Sequence, residues 1–308
     1  MLDGLAFACP ASLLEQLVRR YGEPQAIQPP GLAGRLVGFA RQWPIAAAAA
    51  AVLLVIVILA IVGPFIVGDP LHIQPLDRLK PPTAAAWLGK DQLGRDVLAR
   101  LIHGARISLA VGSLVALAAI SLGMVIGLLA GYFRLVDALV MRAVDGMMAI
   151  PSILLAIAFA ALAKPGLLTV VAAITIPEVP RVIRLVRSIV LGTRELPYVD
   201  AAIASGTPTL KILRRHILPN SYAPLIVQAT YVFASAVMFE AYLSFLGAGV
   251  PPRFPTWGNM IAEGRLYFTT APWIIFAPGL ALAAVVLGVN LLGDWLRDRL
   301  DPRIARRM

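Results

Sequence analysis

Cysteine is all but missing from this 308-residue chain, where Cys9 stands alone. One thiol closes no internal disulfide. With only His72, His103 and His216, far apart in sequence, it builds no zinc site either. Charge is scarce as well: Asp, Glu, Lys and Arg make up 14% of the residues, while apolar residues reach 59%. A soluble domain carries about 25% charged residues, so this balance excludes an ordinary soluble enzyme and, more firmly, a disordered chain. Catalytic signatures are missing too. There is no G-x-x-x-x-G-K-[ST] phosphate loop, no H-E-x-x-H and no G-x-S-x-G. Ser and His are not spaced to suggest a triad. A cleavable signal peptide is not expected, because the first apolar run opens only near Pro44, after a polar, Pro- and Gly-spotted segment.

What the chain has is long apolar runs. They are unbroken rather than alternating, which points to membrane helices and away from a transmembrane barrel. Crossing the hydrocarbon core takes about 20 apolar residues. On that measure six spans are expected, near 44–67, 107–130, 140–163, 166–187, 222–247 and 272–293. Gly112, Gly123 and Gly127 in the second are spaced for close helix contact. The fourth is irregular, since Pro177 and Pro180 should break or kink it, with Glu178 between them.

The basic surplus, 27 Lys and Arg against 17 Asp and Glu, reads in such a chain as orientation of the spans rather than as nucleic-acid binding. With both ends cytoplasmic, 18 of the 27 cations fall inside. The group from Arg95 to Arg106 runs against that rule. The layout is then a cytoplasmic tail 1–43 with an amphipathic helix from Ser12 to Tyr21, a six-helix region 44–296, an outer loop 68–106, an inner loop 188–219 and a basic tail 297–308.

The inner loop is the most informative segment. It reads as two short helices. Pro197 suits a first turn, Asp200 sits near the positive helix end and Gly206 can close the helix. Thr207 as cap and Pro208 as first residue open the second, which carries Lys211, Arg214 and Arg215 on its polar side and ends at Pro219. Such a loop is either a basic surface touching anionic lipid or a docking knob, its small residues Ala201, Ala202, Ala204 and Ser205 smooth enough to seat in a protein groove.

The pattern Asp200-Ala201-Ala202-x-x-x-Gly206 followed by Leu218-Pro219 resembles the EAA loop of ABC importer permeases, with Asp in place of the usual Glu and His216 where Ile is usual. Further segments are similar to the C-type permease of dipeptide, oligopeptide and nickel importers. They are Leu88-Gly89-Lys90-Asp91-Gln92-Leu93-Gly94-Arg95-Asp96-Val97 with Gly104-Ala105-Arg106-Ile107-Ser108-Leu109, Met141-Arg142-x-x-Asp145, Glu240-Ala241-x-Leu243-Ser244-Phe245-Leu246-Gly247, Pro255-x-Trp257-Gly258, and the stretch from Asn290 to Pro302. The resemblance runs from about Arg41 to Arg303 and leaves residues 1–40 outside.

What the resemblance implies is an all-α, type I ABC importer permease in the bacterial inner membrane. It would form half of a translocation path for peptides or a related solute, such as a nickel complex, glutathione or an opine. Its implied partners are a homologous sister permease, an extracytoplasmic substrate-binding protein and two cytoplasmic ATPase subunits that use ATP and Mg. This chain itself would bind no cofactor, and the EAA loop would be the coupling helix. The alternatives are a self-contained secondary transporter or channel, which needs intramembrane charge networks, and a membrane-embedded enzyme.

Two carboxylates inside the apolar runs, Glu178 and Glu240, are path candidates together with Pro177 and Pro180. For Glu240 the competing reading is a structural bond to Tyr242, Ser235 or a neighbouring helix. Arg181, Arg184 and Arg187 are read as anchors to lipid phosphates, Arg142 and Asp145 as an i, i+3 pair, and Asp294 and Asp298 as partners of Arg297 and the EAA region. Trp257, Trp273, Tyr267 and Phe268 suit an outer interfacial belt or a binding-protein contact.

Overall fold

A computed structural model describes residues 32–300. The helix expected from Ser12 to Tyr21 and most of the basic tail lie outside the described residues. The chain forms two units, 1–44 and 45–308. Of the first, the described part is helix α1 (Leu32–Gln42), closed by the Trp43 N–H on the Phe39 carbonyl at 2.8 Å.

The second unit has its described residues in helices joined by loops, the longest of them the stretch 66–96. Its elements are α2 (Pro44–Val62), α3 (Val97–Tyr132), α4 (Arg134–Met148), α5 (Ser152–Leu162), α6 (Leu167–Arg194), α7 (Pro197–Ala204), α8 (Thr209–Ile212), a π-turn (Leu213–Ile217), α9 (Leu218–Phe245), α10 (Trp257–Gly264) and α11 (Trp273–Leu300). Among the described residues there is no strand, only two isolated bridges in the loop before α3. Helices α2, α3, α9 with its lead-in, and α11 are long and apolar enough to cross a membrane, and the bent pair α4–α5 adds a fifth candidate.

Helix α3 begins ten residues earlier than the apolar run suggests, because Asp96 caps it by accepting the Ala99 N–H at 3.0 Å. At 36 residues it extends about 54 Å, longer than the hydrocarbon core is thick. Its glycines do what their spacing suggests. A Cβ on Gly123 would stand 2.5 Å from Val182, on Gly127 2.7 Å from Val186 and on Gly131 2.6 Å from Val190. The glycine row therefore lets α3 and α6 touch backbone to side chain along three turns. Because both series ascend together, α3 and α6 run parallel. Gly112 faces Phe233 and Val237, while Ser108 reaches Glu240, so α9 runs antiparallel to α3. The core lies where α3, α6 and α9 meet, built from Val115, Ala119, Ile174, Val182, Val186 and Val232.

Residues 140–163 form two helices, α4 and α5, which meet at 94° around Ala149, Ile150 and Pro151. Pro151 disfavours the helical region for the residue before it, and α5 alone spans only about 16 Å. Residues 167–194, by contrast, form one uninterrupted helix through Pro177 and Pro180. The carbonyls those prolines leave without N–H partners are tolerated because α6 is packed on several sides, against α3, α5 and α9.

Candidate functional site

The inner loop stands on a buried base. Val199, Ile212, Leu213 and Ile217 are buried and join the main core, while Asp200, Ala201, Ile203, Ala204, Ser205 and Gly206 are exposed. Helix α7 thus presents a small-residue face outward. Asp200 lies in its first turn, as expected. Its end is a complete Schellman motif: Thr207 N–H donates to the Ala202 carbonyl (3.1 Å) and Gly206 N–H to the Ile203 carbonyl (2.9 Å), with Gly206 at φ +73°. Only the left-handed region closes the helix this way, which is why a glycine stands there.

The second helix differs in detail. Pro208, not Thr207, is the cap, and no side chain bonds the helix end. Pro219 does not terminate the segment. Helical structure continues from Thr209 to Phe245 through the π-turn, and Pro219 follows that turn as the second residue of α9. Lys211, Arg214, Arg215 and Pro219 are exposed, and Ala202 and Leu218 half-buried. Asn220 Nδ2 donates both to the Tyr198 hydroxyl (3.0 Å) and to the His216 carbonyl (2.7 Å), tying α7 directly to α9.

The intramembrane carboxylates are both occupied. Glu178 is buried, pairs with Arg181 Nη1 at 3.1 Å and accepts from Ser235 Oγ at 2.8 Å. Arg181 also donates to Ser152 Oγ at 3.2 Å. This joins α5, α6 and α9. Pro177 and Pro180 are buried beside it. Glu240 is fully buried and accepts from Ser244 Oγ (2.8 Å) and Ser108 Oγ (3.3 Å), while Ser108 accepts the Trp257 N–H (3.3 Å). It holds α3, α9 and the start of α10 together. Ser235 therefore serves Glu178 rather than Glu240. The two carboxylates do not share a site, since their anchoring positions on α9 are five residues apart.

The three arginines of α6 are not lipid anchors. Each finds an acid: Arg181 Glu178, Arg184 Asp145 at 2.8 Å, and Arg187 Asp137 through two bonds. Asp145 thus pairs across helices instead of with Arg142. Asp294 accepts from the Tyr231 hydroxyl of α9 at 2.6 Å, and Arg297 shares a cavity of about 660 Å³ with Pro219 and Asn220 at the foot of the loop. Trp257 is buried, with its indole N–H on the Leu101 carbonyl (3.1 Å), so it belongs to the core rather than to an interfacial belt.

Sequence reading missed one network. Asp91, Arg95, Arg100 and Glu263 interlock before and along the first turns of α3. Arg95 Nε meets Asp91 at 2.6 Å, Arg100 Nη1 meets Asp91 at 2.7 Å and Glu263 at 2.9 Å, and Gln92 Nε2 donates to Glu263 at 2.7 Å. Burial by itself would raise the Glu263 carboxyl. The Arg100 charge and hydrogen bond, with help from Arg95 and Gln92, outweigh it and hold the group below its ordinary value. The signal was present in the sequence as the arginine group that violates the orientation rule: these cations are neutralised by acids from the same side. No group of three metal-binding side chains exists among the described residues.

A bundle of apolar helices with parallel and antiparallel neighbours, and a folded polar knob between two of the longest, defines a multi-pass membrane transport subunit. Residues 119–306 match the family model of the binding-protein-dependent transport system inner membrane component, and the chain belongs to that family. It is 52% identical over 272 residues to a probable peptide ABC transporter permease protein of Sinorhizobium fredii, covering 88% of this chain and 94% of that one. It is 44% identical over 248 residues to a dipeptide transport system permease protein of Alkalihalophilus pseudofirmus, covering 80% and 82%. Its fold resembles the inward-facing MetNI methionine ABC transporter, with a TM-score of 0.51 and 21% identity over 66% of this chain and 96% of that one. The protein is a permease subunit of an ABC importer, and it is not itself the catalytic component.

Proposed function

We propose that this chain forms half of the translocation path of an ATP-driven peptide importer in the bacterial inner membrane. Helix α7 would be the element that receives force from the ATPase. The observation that carries the reading is the exposed, Schellman-capped, small-residue face of α7 standing on a buried base and tied to α9. A rigid knob of that shape fits a protein cleft and gains nothing from a lipid surface. Asp200, Ala201, Ala202 and Gly206 form the seated part. Lys211, Arg214 and Arg215 hold the rim, and Leu218 and Pro219 pass the displacement to α9.

The peptide cargo rests on the names of the relatives. The partners are two ATPase subunits, which use ATP and Mg, a sister permease and a binding protein on the outer side. Six crossings fit this layout. The parallel run of α3 and α6 requires the chain to return between Tyr132 and Leu167, and α4–α5 is the segment available to do so as one bent crossing. With α6 as a buried crossing, both ends fall on the cytoplasmic side. A self-contained secondary transporter is disfavoured, because Glu178 and Glu240 are both engaged by side chains of this chain and neither is free to carry a coupling ion.

Ala201→Asp in the assembled importer tests the assignment. The expected result is normal insertion with ATPase co-purification lost, or ATP hydrolysis no longer stimulated by loaded binding protein. Unchanged uptake and assembly would refute it.

A further inference from the structure

A second site lies at the far end of the molecule from the loop. Helix α6 runs about 42 Å from Leu167 to the coupling loop. Beside Leu167 opens a cavity of about 380 Å³ lined by His103, Arg106, Ile107, Leu167, Phe254 and Pro255. It is at the small end of ligand sites, with room for the last residue or two of a peptide.

Its two sides differ. One wall is apolar, made by Ile107, Leu167, Phe254 and Pro255. The other carries His103 and Arg106, one helical turn apart on α3 and therefore on the same face. The His103 Nε2 is buried without a hydrogen-bond partner. Arg106 is exposed and forms no hydrogen bond or ion pair among the described residues, whereas its neighbours Arg95 and Arg100 both form ion pairs with Asp91 and Glu263. Asp69 acts on the imidazole through space, but it accepts the Leu71 N–H at 2.9 Å and does not bond either group. A cation beside an imidazole without a hydrogen-bond partner, across a cavity from an apolar wall, matches a carboxylate that carries an apolar side chain on the adjacent carbon.

We propose that this cavity is a carboxylate subsite, in which Arg106 and His103 hold the C-terminal carboxylate of a peptide while its last side chain rests on Phe254 and Leu167. The inference rests on the peptide-import reading and adds a site and a polarity to it: cargo enters carboxylate-bound at this mouth. Arg106 supplies a charge-assisted, fork-shaped donor set suited to a carboxylate. His103 supplies one further bond from the same face.

Labelling uses the assembled importer in lipid nanodiscs without its binding protein, so that delivery does not select the probe, and uptake is read separately with the complete importer, binding protein included, in proteoliposomes. The probes are the dipeptide Ala–photoleucine, whose diazirine lies on the C-terminal side chain, and the same dipeptide with an amidated C-terminus. Photolysis followed by peptide mapping locates the adducts. Expected are adducts at Ile107, Leu167 and the Phe254–Pro255 segment, about five- to tenfold weaker for the amide. That preference should be lost in Arg106→Gln and kept in Arg106→Lys. If Arg106→Gln fails to assemble, the acid-to-amide comparison on the unaltered protein still decides. Equal labelling by both probes, or adducts only elsewhere while the dipeptide is transported, would overturn the subsite and leave the peptide reading standing. No adduct anywhere together with no dipeptide uptake would defeat the peptide reading, and the subsite would fall with it.

Discussion

Two glycines in this protein serve opposite purposes, and their substitutions should separate. Gly206 has a left-handed backbone and open space around it, so Gly206→Ala meets no clash and costs only the conformational penalty, about 1–2 kcal/mol. Gly127 is ordinary helix, but a Cβ there would lie 2.7 Å from Val186 and 2.9 Å from the Ile183 carbonyl oxygen. Backbone cannot rotate away, so Gly127→Ala must push α3 and α6 apart. Thermal unfolding of the detergent-solubilised protein should show a small loss for Gly206→Ala and a larger one, about 1–3 kcal/mol, for Gly127→Ala. No loss in Gly127→Ala would mean that α3 and α6 do not touch in the register described. Glu240 sharpens the same scale. Glu240→Gln keeps an acceptor for Ser108 and Ser244 and should be tolerated. Glu240→Leu removes both bonds inside the core and should cost about 1–3 kcal/mol, read as faster proteolysis near Thr256 and Trp257.

At the scale of the element, helix α7 is useful because it is not independent. Its eight residues are too few to hold a helix in water alone. Buried Val199 anchors it from below, and the Tyr198–Asn220 bond joins it to α9. Tyr198→Phe removes that bond while keeping the ring. Since Asn220 retains its bond to the His216 carbonyl, folding should be barely affected. Transport per ATP hydrolysed in the reconstituted importer should nonetheless fall, because α7 would move without carrying α9 along. An unchanged ratio would place the linkage in the buried base alone. The bent pair α4–α5 and the unbroken α6 show that context decides what a proline does. Pro151 stands in a stretch with little surrounding structure and bends the chain. Pro177 and Pro180 stand where neighbours press on several sides, and the helix runs on through them.

For the molecule as a whole, the pH response should come from the Asp91–Arg95–Arg100–Glu263 network, which ties the loop before α3 to α10. Glu263 is held below its ordinary value, so its contribution is present above the carboxylate's unfolded range, about 4.3. That contribution is lost as the pH falls through the lower folded value. Limited proteolysis of the 68–96 loop should therefore be flat from neutral pH down to about 5 and rise steeply below about 4. Glu263→Gln should make the loop sensitive at neutral pH, because Arg100 then loses one of its two acids inside the protein.

The helical membrane class, the glycine contact row and the two-helix inner loop with its glycine cap were all legible in the sequence. Each follows from local physics: an unbroken apolar run, a four-residue spacing, a residue free to adopt positive φ. What the sequence could not decide was pairing across distance. Arg184 and Arg187 looked like lipid anchors until helix α4 brought Asp145 and Asp137 to them. Arg95 and Arg100 looked misplaced until Glu263, more than 160 residues away, closed their network. Trp257 looked like a surface anchor until its indole was found against Leu101. Charge and aromatic rings specify only that a partner is needed. Which partner meets them depends on how the long helices pack, and tertiary structure alone settles that.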